Sequence, residues 1–192
     1  MADSYITKRA LAASLRELMQ EQPFDKINVS QICDGCGMNR KSFYYHFKDK
    51  YDLVNWIFDT DFIAMAKDVE LDVPYAARWD LVEKACRYFY ENHNFYRKAL
   101  QIKGQNSFPD HFREYVRPLL QSRMTKIFGK EQADEFTLDF LTDAVLCALE
   151  RWLLTKDCMP PDVFVNKLKD LVEMSAYALC TRMSESDGTL HG

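Results

Sequence analysis

Between Asn28 and Lys50 the chain reads NVSQICDGCGMNRKSFYYHFKDK, and the spacing of its capping residues leaves little freedom in how it folds. An Asn followed three residues later by a Gln marks a helix start at which each side chain takes up an orphan backbone amide of the other. Asn28 and Gln31 fit that signature, with Val29 and Ile32 as the apolar face of the helix that follows. Gly37 supplies the left-handed conformation that closes a helix, and Asn39, two residues on, caps the next one. Two short helices joined by a tight glycine turn are the outline of a helix-turn-helix.

Upstream, Ile6, Leu11, Leu15 and Leu18 recur at helical spacing, and Gln22-Pro23 ends that helix because a residue before proline is pushed out of the helical region. Downstream, Asp49 is placed to cap a longer helix running through Leu53, Val54, Ile57, Phe58, Phe62 and Met65. Helical periodicity continues over 76–92, 94–102, 110–128, 130–155 and 161–183, with breakers at Pro74, 103–110, Gly129 and 158–161. No stretch alternates as a strand does. The expected fold is all-α with about nine helices. Residues 1–50 form a three-helix module around the helix-turn-helix, a linking helix spans about 49–69, a larger helical domain spans 51–183, and 184–192 read as a disordered tail.

Composition agrees with an ordered helical chain: 47% of residues are hydrophobic, 28% are charged, and there are only 6 Gly and 6 Pro. The N-terminus lacks the apolar stretch of a signal peptide and no window reaches the length of a membrane span, so a cytoplasmic protein without membrane contact is expected. The net charge of −4 argues against nucleic acid until its distribution is considered. From Met38 to Lys50, Arg40, Lys41, Lys48 and Lys50 face one acid, Asp49. At about 100° per residue, Phe43 and Phe47 share one face of the third helix while Lys41 and Tyr45 lie opposite, flanked by Ser42 and Tyr44. That outer face is polar, basic and aromatic, suited to phosphates.

Cys33 and Cys36 form a C-x-x-C pair, which raises zinc or redox chemistry. A structural zinc site takes four ligands, and no second Cys or His pair follows at a suitable distance; a redox C-x-x-C would follow a strand. Both cysteines therefore read as small side chains on the inner face of a short helix, with no metal and no cofactor expected. Glycine-rich phosphate loops, the G-x-S-x-G elbow and H-E-x-x-H are all missing from the sequence, so no enzyme is expected. His111 and Glu114 share a helical face as an ordinary surface pair.

INVSQICDGCGMNRKSFYYHFKDKYDLVNWIF resembles the DNA-binding region of TetR-family transcription regulators. Ile32-Cys33, Cys36-Gly37-Met38 and Phe43-Tyr44-Tyr45-His46-Phe47 with Lys50 match the family's Ile-Ala pair, Ala-Gly-Val turn and aromatic-Tyr-x-His-Phe-x-x-Lys run. The departures, Cys for Ala twice and Met for Val, are changes of volume that a core tolerates. ENHNFYRKAL and ALERWLLTKDCMPPDVF further along are similar to the C-terminal half of dihydroxyacetone kinase operon regulators within that family.

The resemblance implies a dimer on a near-palindromic operator of double-stranded DNA. Arg40, Lys41 and Ser42 would lie at the base edges, Ser30 at a base or phosphate, Tyr44 and Lys50 at phosphates, and Tyr45 against sugar or a thymine methyl. His46 would pack beside the turn. The aromatic middle of the chain would enclose an effector, with Tyr88, Phe89, Phe95, Phe112, Tyr115 and Trp152 as lining, although aromatic helices also form ordinary core. Leu141, Val145, Ala148 and Leu149 on one late helix, with Leu168, Leu171, Val172 and Leu179 on the next, would form the homodimer interface. Such a regulator is either a repressor released by a small-molecule effector or an activator or interaction module controlled by a protein partner.

Overall fold

The computed structural model describes residues 2–66, 75–104, 106–128 and 134–188. Among them are nine α-helices and no strand. These are α1 (Ala2–Glu21), α2 (Val29–Gly35), α3 (Arg40–His46), α4 (Lys50–Ala66), α5 (Tyr75–Glu91), α6 (His93–Ala99), α7 (Phe108–Phe128), α8 (Glu135–Leu154) and α9 (Pro161–Gly188), with a 3-10 turn at Phe24–Lys26 between the first two. The linking helix is described as far as Ala66, so 67–69 of its expected span lie outside the described residues. Helix α9 continues to Gly188, past the Met183 at which the sequence suggests it ends. Among the described residues no helix is long and apolar enough to cross a membrane.

The chain forms two compact units that interleave along the sequence: Met1–Val73 with Tyr88–Phe112, and Pro74–Arg87 with Arg113–Gly192. The core of the first unit begins where the amphipathic faces of α1 to α4 meet. Leu11, Leu15, Met19, Ile32, Phe43, Leu53, Val54 and Phe58 are all buried there. Ile6, expected on that face, is 64% exposed. Periodicity sets the direction in which a side chain points but not how far along the helix its packing partners extend.

Further into the same unit Phe58 meets Phe108, Phe112 and Phe62 at ring-centroid separations of 5.4, 5.3 and 5.5 Å. Phe89 adds to the cluster, 4.6 Å from Tyr96. Beside the rings is a polar clasp. The Arg16 guanidinium donates to Asp61 at 2.6 Å and to the Tyr88 hydroxyl at 3.2 Å, and lies 4.6 Å over the Phe95 ring. Tyr96 donates its own hydroxyl to the same Asp61 oxygen at 2.8 Å. Lys98 closes the C-terminal end of α1, donating to the carbonyls of Met19, Gln20 and Gln22. An ammonium at that end satisfies carbonyls left without helical partners and complements the helix dipole. Helix α6 is thereby fastened to α1.

The clasp makes the first unit sensitive to alkali. Burial, with Asp61 alongside, pushes the Tyr88 phenol from 10.0 up to about 12 and the Tyr96 phenol well above its ordinary value. The unfolded chain therefore loses these protons first as pH passes 10, so stability falls from there towards pH 12. Urea midpoints taken between pH 8 and 11.5 should decline over that window, and a Tyr96→Phe variant, with one such phenol fewer, should decline less steeply.

In the second unit Trp152 stacks face to face on Phe164, centroids 4.4 Å apart and planes 4° from parallel, and its indole N–H donates to the Met159 carbonyl at 2.7 Å. Leu138, Leu149, Leu153 and Val165 are buried with them. Arg113 pairs with Asp139 and Asp143, and Arg117 with Asp139, joining α7 to α8.

Candidate nucleic-acid interface

The helix-turn-helix is built from local backbone chemistry that the sequence specifies. Asn28 accepts from the Gln31 amide at 3.0 Å while the Gln31 side chain accepts from the Asn28 amide at 2.9 Å, a complete capping box at the start of α2. At its other end Gly37 has φ +66°. The Met38 amide reaches back to the Cys33 carbonyl at 2.9 Å and the Gly37 amide to Asp34 at 3.3 Å, the paired bonds of a Schellman closure. Asn39 then caps α3, accepting from the Ser42 amide at 2.9 Å. Beyond α3, Asp49 accepts from the amides of Tyr51 and Asp52 at 2.9 and 2.8 Å to start α4, and Asp52 reaches back to the Lys48 amide at 3.0 Å.

The crossing of α1 and α2 is set by a residue the sequence reading passed over. Gly35 lies so close to Ser14 that a Cβ there would sit 2.3 Å from the Ser14 hydroxyl oxygen. That hydroxyl is buried and donates to the Ile32 carbonyl at 2.8 Å. The close approach between the two helices is thus made at Gly35. Cys33 is buried, whereas Cys36 sits at the C-cap, half-buried, with its sulfur 3.4 Å from the Ile32 and Cys33 carbonyls. Burial pushes both thiols up, away from the reactive thiolate.

With Phe43 and Phe47 packed inward, α3 presents its other face to solvent. Tyr45 is 83% exposed and Tyr44 50%. Arg40 and Lys41 are exposed on the first turn, and Ser42 and Ser30 are half-buried. The Arg40 guanidinium lies 5.9 Å over the Tyr44 ring and donates to its hydroxyl at 3.5 Å, so two polar groups one turn apart are held together. His46 rests edge-on against Tyr45 at 4.9 Å. The ammonium of Lys50, expected at a phosphate, donates to the carbonyls of Phe24 and Ile27, each at 2.8 Å.

The remaining expected sites fall in both units. Tyr88, Phe89, Phe95 and Phe112 belong to the first unit, and Tyr115 and Trp152 to the second. Phe89, Phe95, Phe112 and Trp152 are buried and packed against other rings. Along the expected interface Leu149 is buried, Leu141, Val145, Ala148, Leu168 and Val172 are half-buried, and the side chain of Leu179 lies outside the described residues. Leu171, also expected there, is 62% exposed on α9, and the outward apolar surface further includes Met174 (68%) on the same helix and Phe136 (80%) and Phe140 (62%) on α8, which stack on each other. The signal that would have found the pair is their spacing: Phe136 and Phe140 are four apart, on a face the stripe through Leu141 and Val145 does not include.

Residues 11–57 match the family of bacterial regulatory proteins named for tetR, and 78–174 match a transcriptional regulator C-terminal region of the same kind. The chain belongs to the TetR family. A curated relative, the HTH-type dhaKLM operon transcriptional activator DhaS of Lactococcus lactis, is 28% identical over 147 residues, covering 77% of this chain and 74% of DhaS. Among solved structures, a TetR transcriptional regulator from Streptococcus agalactiae aligns with TM-score 0.69 at 20% identity, covering 89% of this chain and 96% of that one. NalD, the secondary repressor of the MexAB-OprM multidrug efflux pump in Pseudomonas aeruginosa, aligns with TM-score 0.64 at 16% identity, covering 88% and 95%. At those identities the structures speak for a shared TetR fold alone.

Proposed function

We propose that this TetR-family regulator reads a near-palindromic operator as a dimer, with α3 of each protomer in the major groove. The observation that carries the proposal is the outer face of α3, where Arg40, Lys41, Tyr44 and Tyr45 stand exposed on a helix whose other face is locked by Phe43 and Phe47. Arg40 and Lys41, on the first turn, are the base-reading candidates, and a bidentate Arg or Lys contact to guanine discriminates by about 1–3 kcal/mol. Ser42 on that turn meets a base edge, Ser30 on α2 a base or a phosphate, and Tyr44 and Tyr45 meet phosphate, sugar or a thymine methyl. One short helix covers few base pairs, so a two-fold pair on the operator is needed, with half-sites one helical repeat apart. The exposed surface of Phe136, Phe140, Leu171 and Met174 supplies apolar area for pairing.

Repression relieved by a small molecule is one form of this regulation. Activation controlled by a protein partner is the other, favoured by the likeness to DhaS, a transcriptional activator, and by the mutual packing of rings expected to line an effector pocket. A reporter fused to the regulated promoter separates the two by the sign of its change when the gene is deleted.

Fluorescence anisotropy on DNA flanking the protein's own gene tests the DNA reading. We expect two chains per duplex, affinity that falls steeply with salt because phosphate contacts release counterions, and loss of binding in a Lys41→Ala/Tyr44→Phe variant. Arg40→Ala should chiefly relax sequence preference. Salt-insensitive binding, or binding indifferent to the double variant, would remove α3 as the reading helix.

A further inference from the structure

We infer that Lys50 is a positioning residue, setting the angle of the helix-turn-helix by gripping the 3-10 turn before α2 instead of holding a phosphate. The inference rests on the DNA reading above and assigns this residue a part in it. Lys50 is the first residue of α4, and its ammonium reaches back across the module to Phe24–Lys26. It donates to the carbonyls of Phe24 and Ile27 at 2.8 Å each, with the Asp25 carbonyl at 3.5 Å. An ammonium has three N–H donors, so these carbonyls fill its capacity. The same nitrogen lies 4.4 Å over the Phe24 ring, and the next residue, Tyr51, meets that ring edge-on at 5.1 Å. Phe24 and Ile27 are buried.

The turn so gripped leads directly into Asn28, the residue that caps α2. The first turn of α4 therefore holds the point where the chain enters the helix-turn-helix, and α3 is carried at the far end of that lever. For Lys50 to reach a phosphate it would have to release two charge-assisted hydrogen bonds, leaving the Phe24 carbonyl with only its bond from the Ile27 amide. Lys41 and Lys48 are exposed and carry no such obligation. Burial also lowers the Lys50 pKa, opposed by Asp25, as it does for an ammonium withdrawn from water.

The test uses the full chain with Lys50→Gln, Lys50→Arg and Lys41→Gln. The probe is a DNA duplex that the wild-type protein selects from a random pool. Affinity is measured across a salt series, and exchange of the Lys26 and Ile27 amides, whose bonds hold the turn, is followed by NMR. A lost phosphate contact lowers the slope of log affinity against log salt by about 0.9, and Lys41→Gln, which removes a base-reading cation, gives the comparison for a loss at the DNA face itself.

Lys50→Gln should instead weaken binding by about tenfold or more, leave the slope unchanged, and speed exchange at both amides. Lys50→Arg should fail to rescue, because a planar guanidinium suits a phosphate but does not gather three carbonyls as an ammonium does. A lowered slope in Lys50→Gln, full rescue by Lys50→Arg, or unchanged amide exchange would overturn the inference. If the wild-type selects no duplex, the DNA reading fails, and amide exchange still decides whether Lys50 holds the turn.

Discussion

Gly35→Ala is expected to unsettle the helix-turn-helix more than any other single methyl group. The added carbon would sit 2.3 Å from the Ser14 hydroxyl oxygen, well inside contact distance. Moving α2 away to relieve the overlap is overpacking of a kind that costs about 1–3 kcal/mol. Turning Ser14 aside instead breaks its buried bond to the Ile32 carbonyl, and an orphaned buried polar group costs another ~1–3 kcal/mol. The better helix propensity of alanine returns at most about 1 kcal/mol.

Urea denaturation should therefore show net destabilisation, and DNA affinity should fall with it because α3 follows α2. Ser14→Ala supplies the control: it removes the colliding oxygen and leaves the Ser14 Cβ at an ordinary 3.4 Å. In the double variant the two changes should cost less than their separate effects added together, with a coupling of about 0.5–3 kcal/mol. Strict additivity would mean that Gly35 is not where the helices meet.

Phe58→Ala should be the most destabilising large-to-small change in the first unit, by about 3–5 kcal/mol. Phe58 is 0% exposed, and it touches rings from the end of α5 and the start of α7. Its removal takes the centre from the cluster, whereas Phe58→Leu keeps most of the volume and should cost less, about 1.5 kcal/mol or below. The same measurement bears on the effector question. If Phe89 and Phe112 line an open pocket, Phe112→Ala should change stability little. If they are core, it should behave like Phe58→Ala, and their ring contacts with Phe58 favour that outcome.

What could be read from the sequence follows the range of the forces involved. Caps at Asn28, Asn39 and Asp49 and the glycine turn at Gly37 are decided within four or five residues, and each stands where its neighbours place it. The inward faces of α2 and α3 follow from period and polarity for the same reason. Features decided across tens of residues escape such rules. Nothing near Lys50 announces that carbonyls more than twenty residues earlier will hold it. Nothing near Lys98 points to the end of α1. The exposure of Phe136 and Phe140 on α8 is of the same kind, because a broad hydrophobic stripe does not reveal which of its edges the neighbouring helices cover.

The fastening of α6 to α1 bears on how this protein can be taken apart and rebuilt. Arg16 and Asp61 lie in the first third of the chain, yet their hydroxyl partners Tyr88 and Tyr96, and the Lys98 that closes α1, come later. A chimera that grafts residues 1–66 onto another regulator would leave the guanidinium and carboxylate without these partners and strip the aromatic cover from Phe58. The transplantable piece is discontinuous: the N-terminal helices travel with 88–112, and any exchange of DNA specificity by cut and paste must either carry both segments or confine itself to the outward side chains of α3.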